Sequence, residues 1–151
     1  MGSSDFAGER LPPPRRKPRV LIVDDDPSIR LLCAAQLLGE GYDVIEAGDG
    51  QEGLERAFGE APDVVLLDIS MPILDGFGFA AALRSDERTQ QLPFIFLSGE
   101  QDPHVETRAY EAGARGYFAK PFDPSVIAEF VRSALVTLFP DPSAHPGGDV
   151  F

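Results

Sequence analysis

Cysteine is nearly absent: Cys33 stands alone in 151 residues. That excludes an internal disulfide and any multi-cysteine metal site. The two histidines, His104 and His145, have no metal-site partner near them in sequence. No apolar run approaches the roughly 18 residues that a membrane span needs, and the N-terminus carries no apolar signal core. A cytoplasmic protein without membrane contact is the expectation. Positive charge is scarce as well, with 13 Lys+Arg against 25 Asp+Glu and a formal net charge of −12. A body this acidic repels nucleic acid, so direct binding to it is not expected. Lysine is the scarcest cation, for beyond residue 19 Lys120 stands among seven arginines.

The 43% of hydrophobic residues fits one globular domain at this length. Residues 1–18 are polar, proline-rich and basic, and read as a disordered leader. Residues 140–151 have the same texture and read as a flexible tail or the start of a linker. Between them, over 19–139, five short β-branched or aromatic runs recur: Val20–Val23, Asp43–Glu46, Val64–Leu67, Phe94–Leu97 and Gly116–Ala119. Each is followed by a helix-length amphipathic stretch, roughly Ser28–Gly39, Gly50–Glu60, Gly76–Arg84, Pro103–Ala112 and Pro124–Phe139. Repeated βα units of this kind build a parallel sheet. The runs VLIV, VVLL and FIFL are apolar on both faces, as strands covered by helices on both sides must be. The predicted fold is a flavodoxin-like (βα)5 three-layer sandwich with strand order 2-1-3-4-5.

In such sheets chemistry gathers beyond the carboxyl ends of the strands, where the strand order reverses. Asp24, Asp25 and Asp26 follow the first run, Asp68 the third, Ser98 the fourth and Lys120 the fifth. Carboxylates about 4 Å apart repel by on the order of 4 kcal/mol per pair at an effective dielectric near 20. Something cationic must offset this. Oxygen ligands without His or Cys point to a hard divalent ion, and Mg2+ suits few carboxylates with room for water and phosphate oxygens. The plainer alternative makes these aspartates helix caps, and Asp26 before Pro27 suits that role best. Lys120 is a compact charge able to reach one carboxylate or phosphoryl oxygen, or a surface lysine, and the Lys120-Pro121 bond is a candidate for the cis form. Ser98 beside Gly99 is either a functional hydroxyl or a turn residue. Cys33, among leucines, reads as a core thiol, and His104 as an exposed first-turn residue of the fourth helix.

With those residues in place, the sequence resembles the receiver domain of bacterial two-component response regulators, and in extent the stand-alone chemotaxis-type receiver. The stretches that carry the resemblance are VLIVDDDPSIR (20–30), GYDVIEAGDGQEGL (41–54), DVVLLDISMPILDGF (63–77), PFIFLSGE (93–100) and GARGYFAKPF (113–122). The resemblance implies that Asp68 accepts a phosphoryl group from a histidine kinase or His-phosphotransfer protein. It implies that Asp24, Asp25, Asp68 and the Ser70 backbone carbonyl hold Mg2+, and that Ser98 and Lys120 each bind a phosphoryl oxygen. Tyr117 matches the switch aromatic, and Met71, Pro72 and Gly76 fit the family's loop and third-helix start. Ser70 and Glu100 match positions that tune phosphate lifetime. The implied activity is self-catalysed phosphoacceptance and slow autodephosphorylation, not turnover of an external substrate. The face of the fourth helix, fifth strand and fifth helix is then the surface for an output protein, a missing output domain or a second copy. Two other readings are a pseudo-receiver that takes no phosphate and a haloacid-dehalogenase-like phosphatase. Ser70 stands where that phosphatase would need a second acid.

Overall fold

Burial on both faces governs the three central strands, and the two edge strands are only partly covered. In the computed structural model, which describes residues 16–100 and 102–136, the apolar runs become β1 (Arg19–Val23), β2 (Asp43–Ala47), β3 (Val64–Asp68), β4 (Phe94–Ser98) and β5 (Gly116–Ala119). They form one parallel sheet in the order β2-β1-β3-β4-β5, as the sequence predicts. Register runs evenly across it, with Val20 opposite both Val44 and Val64, and Ser98 opposite Ala119. The intervening stretches are α1 (Pro27–Gly39), α2 (Gly50–Glu60), α3 (Gly76–Arg84), α4 (Pro103–Glu111) and α5 (Pro124–Leu135).

Alternation along the strands sends successive side chains to opposite faces. Leu21, Val23, Val65, Leu67, Phe94 and Phe96 meet Ala57, Phe79, Ala80, Leu83 and Ala109 from α2, α3 and α4. Val20, Ile22, Val64, Leu66, Ile95 and Leu97 meet Cys33, Ala34 and Leu37 of α1 and Ile127, Ala128, Val131 and Leu135 of α5. Cys33 is therefore a core thiol, and burial pushes its pKa up to about 12. Fully burying a side chain such as Phe79 or Leu66 is worth about 1.5–3 kcal/mol, so this double-sided core fixes the sheet that carries the site.

Each helix begins on an aspartate. Asp26, Asp49, Asp75, Asp102 and Asp123 accept a hydrogen bond from a backbone N–H two or three residues on, and Pro27, Pro103 and Pro124 open three of those helices. Such caps satisfy orphan N–H groups and are worth about 1 kcal/mol each. The capping role predicted for Asp26 holds, with Ser28 N–H donating at 2.8 Å. Boundaries shift by one residue where the cap or the ladder extends further than the apolar run does. Thus α1 opens at Pro27, α4 closes at Glu111, β2 reaches Ala47, and β3 and β4 include Asp68 and Ser98. The extension of the last helix to Phe139, the tail at 140–151 with His145, and residues 1–15 of the leader lie outside the described residues. At the near end of that leader, Arg16 makes a two-pronged contact with Asp63 at 3.0 and 3.1 Å, and Asp63 also accepts from Arg19 N–H at 2.8 Å.

Candidate functional site

The strand order places the carboxyl ends of β1 and β3 side by side, with β4 and β5 following. Asp24 leaves β1 fully buried, and Asp68 ends β3 at 3 % exposure. Asp25 is exposed beside them. The three carboxylates each present an oxygen within 4.8 Å of the others, the one such cluster of metal-ligating side chains among the described residues. Ser98, buried, ends β4, and Lys120 follows β5. The sheet thus brings Asp24, Asp25, Asp68, Ser98 and Lys120 to one rim from four separate strands.

Lys120 joins them. Its Nζ donates to Asp24 Oδ2 at 2.8 Å and lies 3.3 Å from Asp68 Oδ1. Its backbone N–H donates to the Ser98 carbonyl at 2.7 Å, and the Lys120-Pro121 bond is cis. Burial would depress the ammonium, but its contacts with Asp24 and Asp68 prevail, and its pKa is raised. A half-buried cation between buried anions stays charged when it is paired in this way.

One lysine does not balance three carboxylates. Asp68 is pushed up to about 7, first by burial and then by the charge of Asp24, against the opposing pull of Lys120. The remaining imbalance is what a divalent cation would remove. Every donor in the cluster is a hard oxygen, which fits Mg2+ or a similar ion and not a soft metal. Asp24 is fixed from several sides. Its Oδ1 accepts from Asp26 N–H at 2.9 Å, and its own N–H donates to the Ala47 carbonyl at 3.1 Å.

The remaining predicted residues line the approach. Ser70 is exposed in the loop after β3, where Met71 is buried. Gly76 starts α3 directly against the end of β3. A Cβ there would stand 2.7 Å from the Asp68 carbonyl oxygen and 2.9 Å from Phe96 Cε1. The Ser98 hydroxyl accepts from Glu100 N–H at 2.9 Å, leaving its proton free for another acceptor. The Tyr117 hydroxyl donates to the Glu100 carbonyl at 2.6 Å, so β5 is tied to the loop after β4. Beside the acidic rim opens a groove of about 470 Å³, lined by Ser70, Met71, Phe77, Glu100 and Arg108 among others. His104 is exposed in the first turn of α4, as expected.

One residue escaped the sequence reading. Arg30 Nη1 donates to the Asp24 carbonyl at 2.6 Å, and Arg30 Nε to Glu46 Oε1 at 3.3 Å. A cation so near the start of a helix runs against its dipole, which is the signal that could have drawn notice.

Residues 20–132 match the family model described as response regulator receiver domain. The chain belongs to that family. The receiver resembles the DNA-binding dual master transcriptional regulator RpaA of Synechocystis sp., 39% identical over 118 residues, which are 78% of this chain and 49% of the relative. It is 36% identical over 117 residues to the alkaline phosphatase synthesis transcriptional regulatory protein PhoP of Bacillus subtilis, covering 78% of this chain and 48% of the relative. The chain therefore spans about half the length of these curated relatives. Among solved structures, the chemotaxis response regulator CheY4 of Vibrio cholerae matches with a TM-score of 0.74 and 33% identity, over 80% of this chain and all of that one. A CheY-like receiver domain protein of Methanospirillum hungatei matches at a TM-score of 0.75 and 28% identity, over 82% and 97%. The receiver is a signalling domain of the two-component type, and neither the pseudo-receiver nor the phosphatase reading finds support. Among the described residues no helix is long and apolar enough to cross a membrane.

Proposed function

We propose that Asp68 is the phosphoacceptor and that the receiver catalyses its own phosphorylation. The observation that carries this reading is Lys120 Nζ, 2.8 Å from Asp24 and 3.3 Å from Asp68, at a rim holding three carboxylates within 4.8 Å of one another. An Asp68 oxygen attacks phosphorus in the phosphohistidine of a kinase or phosphotransfer protein. The O–P bond forms, the N–P bond breaks, and its electron pair and a proton stay with the imidazole. The obstacle is electrostatic, since an anion attacks an anion, so catalysis is positioning plus neutralisation. Asp24, Asp25, Asp68 and the Ser70 carbonyl would hold Mg2+, which supplies positive charge to the phosphoryl oxygens. Lys120 and Ser98 bind the other oxygens. Hydrolysis of the resulting mixed anhydride returns Asp68, with Ser70 and Glu100 flanking the path of water.

Signalling follows from the same contacts. A phosphoryl group adds roughly 1.5 to 2 negative charges and new acceptors, and both Ser98 and Lys120 are placed to answer it. Ser98 is bonded to Glu100, and Glu100 to Tyr117, so a shift of the hydroxyl reaches the α4–β5–α5 face. That face would then change its affinity for an output protein, an output domain or a second copy. About half of RpaA and of PhoP lies beyond the matched part, whereas CheY4 is matched over its whole length, so output through a further domain and output through a separate partner each have a relative that supports them. Cytoplasmic action without direct nucleic-acid contact by the receiver is part of the same reading.

Incubation with Mg2+ and acetyl phosphate, read by intact mass, tests it. The wild type is expected to gain one phosphate only with Mg2+, and Asp68→Asn none. An Asp68→Asn protein that still gains the phosphate, or a wild type that gains none, overturns the proposal.

A further inference from the structure

Asp25 is the exposed carboxylate of the cluster and follows Asp24 directly, so one peptide joins two of its three acids. That peptide is held at its carbonyl by Arg30. The guanidinium, half-buried, donates through Nη1 to the Asp24 carbonyl at 2.6 Å. It is itself steadied through Nε by Glu46 of β2 at 3.3 Å, and it lies under the turn at Gly48, where a Cβ would stand 3.5 Å from Nη1. From the other side, Asp24 N–H is held by Ala47 at the end of β2. The acidic loop is thus clamped to β2 through two routes, one of which is a side chain.

We infer that Arg30 is a positioning residue for the divalent cation: it fixes the Asp24–Asp25 peptide, and Glu46 orients it to do so. The inference rests on the receiver reading above and extends it to residues that touch neither phosphate nor ion. Two opposite effects of an arginine beside a cation site separate cleanly. If Arg30 acted only through its charge, it would repel Mg2+, and removing it would tighten binding. If it acts by holding the carbonyl, removing it frees the loop and weakens binding. Outer partners that orient metal ligands typically cost about 10–100-fold in affinity when lost.

Calorimetric titration of the full chain with Mg2+ decides between them, with urea unfolding of each variant as the control for folding. Arg30→Ala is expected to weaken Mg2+ about tenfold, and Arg30→Lys, which keeps the charge but not the two-sided grip, to fall between it and wild type. Glu46→Gln should weaken binding less than Arg30→Ala does, and should add nothing in the Arg30→Ala background, because its effect passes through the arginine. Unchanged or tighter binding in folded Arg30→Ala overturns the inference. Should that variant fail to fold, wild-type affinity in both Arg30→Lys and Glu46→Gln overturns it. A wild type that binds Mg2+ normally while the variants match it sinks this inference alone, whereas a wild type that binds none sinks the receiver reading as well.

Discussion

Asp68 should be a burden on the fold that it serves. Its carboxyl is raised from 3.8 to about 7 by burial and by the charge of Asp24. At about 1.4 kcal/mol per tenfold change in proton affinity, the ionised form costs the folded state about 4 kcal/mol. The sign follows from proton counting. Between pH 4 and 7 the folded protein keeps a proton that the unfolded chain has released, so stability falls as pH rises through that window and levels off above it. Asp68→Asn puts a neutral group of similar shape in the same place. Without Mg2+, the variant should be more stable than wild type by about 2–4 kcal/mol at pH 8 and equal to it near pH 4. Urea unfolding in EDTA at several pH values reads the difference directly through the transition midpoint. Parallel stability curves for the two proteins from pH 4 to 8 would refute the reasoning, because they would mean that the cluster stores no repulsion at Asp68.

Mg2+ at 100 times its pH 8 dissociation constant should stabilise the wild type by about 2.7 kcal/mol, and the same concentration should stabilise it less at pH 6, where Asp68 retains its proton and the ion binds more weakly; urea midpoints with and without the ion measure this. Gly76→Ala would press a methyl against the Asp68 carbonyl and Phe96, and an overpacked site of this kind loses about 1–3 kcal/mol or more by the same assay. Ile73, 77% exposed, sits at φ 74° in the β3–α3 loop; Ile73→Asn should raise the urea midpoint, gaining about 0.5–1 kcal/mol, since asparagine tolerates the left-handed region and little packing is lost. Tyr117→Phe removes the donor to the Glu100 carbonyl, so amide exchange in the loop after β4 should quicken by about tenfold for a bond worth about 1.4 kcal/mol.

The fold was legible because double-sided burial leaves an unbroken apolar signature: VVLL and FIFL admit few other structures, and each is followed by a capped helix. Boundaries were less so. Asp68 and Ser98 are polar and mark the end of an apolar run, yet their backbones stay in the sheet ladder, since Asp68 pairs with Leu97 and Ser98 with Ala119. The acidic cluster could be read from strand ends alone, because parallel strands all point their carboxyl ends to one rim. Arg30 offered only the signal of a cation near a helix start; its bond to the Asp24 carbonyl was not legible, because no residue type in the sequence announces which carbonyl a side chain will find.

The division of Lys120 between two carboxylates was also beyond the sequence, and it bears on how the site works in its proposed role. The ammonium is closer to Asp24, at 2.8 Å, than to Asp68, at 3.3 Å. Asp24 further accepts from a backbone N–H. Asp68 is consequently the less compensated of the two buried acids. A carboxylate tightly bound by lysine has its lone pairs engaged and its charge quenched, which makes a poor nucleophile. Leaving Asp68 under-neutralised preserves its electrons for phosphorus while keeping the lysine near enough to meet the incoming oxygens. The cost appears as the raised pKa, and a bound divalent cation would lower it again. Lys120→Arg should therefore impair the reaction although charge is retained, because a guanidinium fork satisfies both carboxylates at once and occupies the space that the phosphoryl group must enter. Acceptance of phosphate by Lys120→Arg at the wild-type rate, followed by intact mass over time, would show that the lysine contributes charge alone.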